Sequence, residues 1–411
     1  MIHPETTPDT TAGTSATHDA PRGALDLPVS GKVGRMLRDD RGRIDIKCLD
    51  LDGLKRFMVD ELGERPIRAF KVWKALWQRG ARTFAEMGDV AGPTLKKLEE
   101  KAYIPFLEPD LILKSDDGTM KFLWRLEDGH VVESVLIPDE GRLTLCVSSQ
   151  VGCAMACSFC LTGDIGLKRH LKASEIANQP LQVQRQLPEG TRITNIVMMG
   201  MGEPLHNLPN LLPALRIMLD DNALNFSHRR VTVSTVGVVP KMAELAAALP
   251  VNLAVSLNAT TEEQRRQIMP ITRTYSLEAL MQACRDFPMP HHKRSTFEYV
   301  MLAGFNDTLD DADRLSKLLE GIPAKINLIP YNENPDRDLK RPSDATVWAF
   351  KKHLQGLKMN TSIRATRGID ISAACGQLGK ARQQASARGW LDDARRIAGL
   401  PALQEPAPTD A

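Results

Sequence analysis

Cys153, Cys157 and Cys160 stand at the spacing C-x3-C-x2-C, inside a stretch from Cys146 to Thr162 that holds four of the chain's seven cysteines. A loop this short can wrap its thiolates around one corner of an iron–sulfur cube. Three ligands for a four-iron cluster leave one iron without a protein ligand. Clusters that only transfer electrons usually have four cysteines, so the pattern points to substrate chemistry at the fourth iron. Plainer readings compete with this one. A disulfide set is disfavoured by the lack of a signal-peptide pattern and by the odd cysteine count. A zinc site wants a fourth Cys or His at finger-like spacing, and His170, the nearest histidine downstream, does not supply it.

Bulk properties set wide limits. A chain of 411 residues suggests two or three domains. Its net charge of +2 neither demands nor excludes nucleic acid, so any basic surface has to be local. No apolar run is long enough to span a membrane, and the cysteine usage fits a reducing cytoplasm.

Composition then divides the chain. Residues 1–45 open on a stretch rich in Thr, Pro, Ala and Asp and are expected to be a disordered tail. Residues 48–104 are expected to form a small helical, RNA-binding accessory domain. Leu51, Leu54, Phe57, Met58 and Leu62 recur at helical spacing, and Ile67, Phe70, Trp73, Leu76 and Trp77 make a second apolar face. Between them lie Arg65, Arg68, Lys71, Lys74, Arg79 and Arg82. These read either as a solvated helix surface or as a phosphate-contacting face. Residues 107–142 read as strands, with Glu127-Asp128-Gly129 as a hairpin turn. From residue 143 to about 380, strand-like and helix-like runs alternate. Residues 381–411 are expected to be a C-terminal helix and tail. The expected fold class is α/β: a partial (βα)6 TIM-like barrel with a small N-terminal helical domain and a β-hairpin extension.

Barrel enzymes place their sites at the C-terminal ends of the strands. The residues there are small and polar: Gly200-Met201-Gly202-Glu203-Pro204, Ser234-Thr235-Val236-Gly237, Ser256-Leu257-Asn258 and Tyr331-Asn332. Each alone reads as a turn or a helix cap. Four in register, on the barrel that carries the cysteine loop, suit a ligand with amine, carboxylate and ribose groups. Near the end, Cys375 sits among Ala and Gly with Arg364 and Arg367 upstream as the positive charge that a reactive thiolate needs. Cys146 ends a strand just before the cluster loop and could meet Cys375 in a transient disulfide. Cys48 and Cys284 lack such a context and read as structural.

Taken together, these motifs resemble the radical S-adenosylmethionine superfamily. Cys146 through Phe159, Met199-Gly-Met-Gly-Glu-Pro-Leu-His-Asn207, Ser234 to Gly237, Val255 to Asn258 and Ala374-Cys-Gly-Gln377 are similar, more closely, to the RlmN-type dual-specificity adenine-C2 methyltransferases of 23S rRNA and tRNA. The resemblance covers roughly residues 48–380. It departs at Leu161-Thr162-Gly163, where Ala-Thr-Gly is usual, and at Tyr331, where Trp is common.

The resemblance implies that Cys153, Cys157 and Cys160 hold a 4Fe-4S cluster whose remaining iron chelates S-adenosylmethionine. Gly202, Glu203, Ser234, Ser256, Leu257, Asn258 and Asn332 would line the pocket of that cofactor, which is used twice per turnover. One molecule would methylate Cys375. A second would give a 5′-deoxyadenosyl radical that takes hydrogen from the methyl group, and the carbon radical would add to C2 of an adenine. Cys146 would then resolve the adduct, leaving a Cys146–Cys375 disulfide. The family's assigned base corresponds to Glu133, although Cys146 could itself take the C2 proton. The implied partners are 23S rRNA, tRNA and an electron-donating reductase, with no membrane and a monomeric, cytoplasmic protein. Two alternatives stay open: a C8-specific adenosine methyltransferase of the same superfamily, and a non-enzymatic iron–sulfur or zinc RNA-binding protein.

Overall fold

The computed structural model describes residues 37–288, 293–334 and 337–379. Most of the expected tail, and the helix and tail expected over 381–411, lie outside the described residues. Residues 37–45 depart from the expectation of a tail. Ile44–Asp45 form a short strand, β1, because Ile44 and Ile46 supply the buried apolar anchors that the preceding composition lacks.

Strand β1 pairs in parallel with β2, Ala102–Tyr103. Between them lie three helices: α1, Leu51–Asp60; α2, Pro66–Trp77; and α3, Gly92–Lys101. Asp50 caps α1 by accepting from Gly53 N at 2.8 Å. Pro66 opens α2, where its missing N–H costs nothing. The apolar faces bury Leu54, Phe57, Met58, Trp73, Leu76 and Trp77, with the two indoles edge-to-face at 6.1 Å. Arg216 reaches back to Asp50 at 2.9 Å, and Lys47 donates to Asn178 at 2.9 Å, so this domain is pinned to the barrel by buried or half-buried polar contacts.

The remaining strands are β3 (Pro109–Lys114), β4 (Met120–Arg125), β5 (Val131–Asp139), β6 (Arg142–Cys146), β7 (Gln150–Val151), β8 (Arg169–His170), β9 (Asn195–Met198), β10 (Val231–Thr235), β11 (Asn252–Ser256), β12 (Ser295–Met301), β13 (Ala324–Pro330) and β14 (Thr361–Ile363). Ten of them form one sheet in the order β14-β13-β12-β11-β10-β9-β6-β5-β4-β3. Strands β6 and β9 to β14 run parallel. The barrel therefore has a short seventh strand beyond the six expected. The segment expected as a separate extension continues this sheet, because β5 pairs antiparallel with β6 and β4 and β3 follow. Gly129 and Gly141, both at positive φ, turn β4 into β5 and β5 into β6.

Period-two alternation explains the curl. Phe297, Tyr299, Ile326, Leu328, Ile196 and Val233 are fully buried on the outer face. Against that face pack α4 (Ala173–Arg185), α5 (Leu208–Leu219) and α6 (Val239–Ala248); α7 (Glu262–Ile268) instead puts Ile268 into a second apolar cluster with Cys157 and Tyr331; and α8 (Leu277–Asp286), α9 (Leu309–Leu318) and α10 (Asp344–Gly356) complete the outer layer. The alternate residues, including Thr144, Asn195, Thr232, Thr296, Asn327 and Ser362, are polar and line one shared cavity of about 520 Å³. Among the described residues no helix is long and apolar enough to cross a membrane.

Gln179 on α4 stitches the antiparallel wing to the barrel. Its Oε1 accepts from Ser134 Oγ at 2.6 Å and from Ser148 N at 2.9 Å, while its Nε2 donates to Ser148 O at 2.9 Å. Trp124 Nε1 extends the chain to Ser134 at 2.9 Å. Gln179→Leu strands these buried groups, and we expect a loss of about 2–4 kcal/mol. A lowered urea midpoint with unchanged slope checks it; an unchanged midpoint would remove Gln179 from this role.

Candidate active site at the open end of the barrel

The cysteine loop follows β7 and closes over the C-terminal ends of the parallel strands. Gly152 makes the entry possible: its φ is +75°, and a Cβ there would lie 1.8 Å from Gly166 O. Ala156 also adopts a positive φ, which bends the loop between the first two cysteines. The loop is tied down by Ser158 N to Ile268 O at 2.9 Å and by Leu161 N to Gly376 O at 2.8 Å.

Cys153, Cys157 and Cys160 line one cavity of about 160 Å³ with Gly202, Glu203, Ser234, Ser256, Asn258 and Asn332. Six of the seven expected pocket residues are thereby brought together. Leu257 is the exception: it is fully buried and absent from the cavity wall, since strand alternation turns its side chain outward between Ser256 and Asn258. Gly202 sits at φ +101°, where a Cβ would strike the Gln150 side chain. Glu203 is buried, and its two carboxylate oxygens accept from Leu205 N at 3.0 Å and Val236 N at 2.8 Å. Burial pushes its pKa up to about 7 against those hydrogen bonds.

The three thiols fit a cluster. Burial pushes the Cys153 pKa up to about 12, and Cys160 adds to this; Cys157 is raised by burial and then by both partners. Thiols that hinder one another's ionisation in this way need a cation to share, and a bound metal deprotonates them outright. Among the described residues no three His, Cys, Asp or Glu side chains converge on a single-ion site.

Two groups beside the cavity escape a reading of the sequence. Arg265 on α7 is buried and donates to Val236 O at 2.6 Å, Leu257 O at 3.2 Å, Ser256 O at 3.3 Å and Thr272 Oγ1 at 2.9 Å. It gathers the ends of two strands next to Cys157, and burial lowers its pKa to about 10. In the sequence it is one of an Arg265-Arg266 pair that looks like helix surface. Glu298 is buried on β12, with Oε1 held by Asn327 Nδ2 at 3.0 Å and no hydrogen-bond partner for Oε2 among the described residues. Strand parity with Thr296 was the signal that could have found it.

Cys375 stands where two cavities meet. The polar barrel cavity and the cysteine cavity share Met199, Glu298, Ile329, Asn332, Arg364 and Cys375 in their walls. Asn332 Nδ2 donates to Cys375 O at 3.1 Å. Cys146 ends β6 on the same inner face as Thr144, buried, with its pKa pushed up to about 12 by burial and then by Cys375, and lowered by Arg364. The Arg364 guanidinium is held above its ordinary range first by Cys375, with Glu298 and Cys146 adding to it. Cys146, Cys375 and Arg364 are thus near enough for their charges to act on one another. Glu133 stands apart: it is buried on β5 and lines neither cavity.

Two family models match the chain: the Ribosomal RNA large subunit methyltransferase N-terminal domain over residues 44–104, and the Radical SAM superfamily over residues 147–317. A dual-specificity RNA methyltransferase RlmN from Pelobacter propionicus is 52% identical over 355 residues, covering 86% of this chain and 98% of the relative. One from Geobacter sulfurreducens is 54% identical over 335 residues, covering 82% and 92%. The crystal structure of a radical SAM methyltransferase from Sphaerobacter thermophilus superposes with a TM-score of 0.76 at 38% identity, covering 81% of this chain and 98% of that one. With half its residues identical over nearly the full length of such relatives, the chain belongs to the RlmN family of dual-specificity RNA methyltransferases, within the radical SAM superfamily.

Proposed function

We propose that this protein methylates C2 of an adenosine in 23S rRNA and in tRNAs, with Cys375 as the thiol that carries the methyl carbon. The observation that carries this reading is the place of Cys375 at the junction of the cysteine cavity and the polar barrel cavity, with Cys146 and Arg364 alongside. C2 of adenine is an electron-poor carbon and no nucleophile for ordinary methyl transfer. When bound, the iron–sulfur cluster held by Cys153, Cys157 and Cys160 and the S-adenosylmethionine in the adjoining pocket supply the methyl group and the radical chemistry that such a carbon requires.

The residues of the chain do the rest. Gly202, Glu203, Ser234, Ser256 and Asn258 bind the cofactor, and Leu257 contributes only backbone. Asn332 fixes the main chain of Cys375 from the cofactor side. Cys146 completes the reaction: its thiolate attacks the Cys375 sulfur, the carbon–sulfur bond to the base breaks with its electron pair left on the carbon, that carbon takes a proton to become the methyl group, and the disulfide that forms is returned to two thiols by an electron-donating reductase. The Cys146 proton has to leave first, and Arg364 is the charge that favours this. Thiols that cycle in this way belong to a reducing compartment, the cytoplasm. We take the protein to act as a monomer.

RNA binding draws on the accessory domain, although less broadly than its basic composition suggests. Arg68 is tied to Glu64 and Thr94, and Arg79 to Asp89, inside the domain. Arg65 and Lys71 are exposed and Lys74 half-buried at α2, and Lys71 Nζ donates to the neutral Asp89 carbonyl at 3.1 Å, which leaves its charge uncancelled, so these three are the phosphate-contacting candidates.

Replacing Cys375 by Ala should abolish 2-methyladenosine in RNA nucleosides read by mass spectrometry, whereas Cys146→Ala should trap RNA covalently on the protein. Continued methylation by Cys375→Ala would end this reading, as would 8-methyladenosine for its regiochemistry. Arg364→Met raises the Cys146 pKa further. Its resolution rate should therefore fall roughly ten-fold near neutral pH and recover as the pH rises. A variant with the wild-type pH profile would dismiss Arg364. Joint neutralisation of Arg65, Lys71 and Lys74 should weaken RNA binding and flatten the log–log salt slope by roughly 0.7–0.9 per lost contact; an unchanged slope would exclude the domain.

A further inference from the structure

Glu133 and Lys121 are the two ends of a buried ion pair on the antiparallel wing. Lys121 lies on β4 opposite Val135, and Glu133 lies on β5 opposite Leu123, so the two side chains share one face as diagonal neighbours. Both are about 1% exposed, and Lys121 Nζ stands 3.4 Å from Glu133 Oε2. Neither lines the cysteine cavity or the polar barrel cavity. What they do touch is the backbone on either side of Cys375. Lys121 Nζ donates to Ser372 O at 3.2 Å, and Glu133 Oε1 accepts from Gly379 N at 3.1 Å. Three further bonds hold the stretch between those points from the opposite side. Asn332 reaches Cys375 O, Leu161 N reaches Gly376 O at 2.8 Å, and Thr162 Oγ1 reaches Leu378 O at 2.8 Å.

We propose that Lys121 and Glu133 form a clasp that positions the Cys375 loop, and that Glu133 is a positioning residue and not the acceptor of a substrate proton. The physical argument has two parts. Burying two charges costs several kcal/mol by order of magnitude, and an apolar pair of similar size would often be as stable or more so. Stability therefore gives no reason for this pair, whereas its two directional contacts, one to a carbonyl and one to an amide, give a reason: they set where the loop enters and leaves. A proton acceptor, in turn, must come within hydrogen-bond reach of the proton it takes. Glu133 lines neither cavity, and its two carboxylate oxygens are turned to Gly379 N and Lys121 Nζ.

The inference rests on reading Cys375 as the methyl-carrying thiol, and its test separates the two. In the full-length protein without cofactors, hydrogen exchange of the peptide spanning 365–379 reports the loop directly. Glu133→Leu, which leaves Gly379 N–H without its acceptor, and Lys121→Met should each raise its exchange by about ten-fold or more, as expected for a lost buried hydrogen bond. Lys121→Arg, which keeps the cation, should restore protection. In the reconstituted enzyme, Glu133→Gln, whose amide oxygen still accepts from Gly379 N but cannot serve as a base, should keep RNA methylation within about ten-fold of wild type and leave the shape of its pH profile unchanged. The proposal is overturned if loop exchange in Glu133→Leu matches wild type. It is also overturned if methylation by Glu133→Gln falls by about 1,000-fold with loss of a pH limb, the signature of a removed base. Should Glu133→Leu not fold, Lys121→Met alone carries the exchange test. Cys375→Ala assayed in parallel shows whether the thiol reading fails, whatever the loop does.

Discussion

A sheet face lined by Thr144, Asn195, Thr232, Thr296, Asn327 and Ser362 cannot pack against an apolar layer. Burying such groups without partners costs more than leaving them wet. The strands therefore wrap this face around open space and spend their apolar alternate residues on the helices outside. The rest of the molecule depends on that curl. It brings the C-terminal ends of the parallel strands to one rim, where the cysteine loop can close over them. It also leaves a polar cavity beneath. The two cavities share a wall, and Cys375 is in it.

Charge then divides the labour among the cysteines. Burial hinders the ionisation of Cys153, Cys157 and Cys160, and Cys160 adds to this at the other two, which is the condition that a cluster relieves. Cys146 is buried and its thiol held protonated, but Arg364 lies close enough to oppose burial. Arg265 does structural work of another kind next to Cys157: one guanidinium satisfies carbonyls from the ends of β10 and β11 that would otherwise be orphaned at the rim.

The antiparallel wing has a part in this as well. Strands β3 to β5 lengthen the sheet at one edge, and from there the β3–β4 turn reaches the segment that carries Cys375. Ser115 Oγ donates to Asp370 at 2.6 Å, and Gly368 N donates to Asp117 at 3.0 Å. With Lys121 and Glu133 these contacts fasten a loop of little intrinsic order to a rigid scaffold. That is the requirement for a side chain held at the junction of two cavities.

Local pattern alone determined the α/β alternation, the helical N-terminal domain, the cluster loop and most of the pocket, because period, turn chemistry and cysteine spacing are short-range properties. The strand-end motifs Gly202-Glu203, Ser234, Ser256 and Asn258 were legible for the same reason. What the tertiary structure decided is of longer range. The inward or outward aim of Leu257 depends on strand register. The burial of Arg265 depends on where α7 comes to rest, and nothing in an Arg-Arg pair reveals it. Part of the apparent basic face of α2 was absorbed by Glu64 and Asp89, partners that only folding brings within reach. Glu133 and Cys375 lie far apart in the chain, and neither reveals by its neighbours that one helps to hold the other in place. That relation exists only once β5 and the final loop share a wall, since an ion pair and a hydrogen bond are set by distance in space and not along the chain.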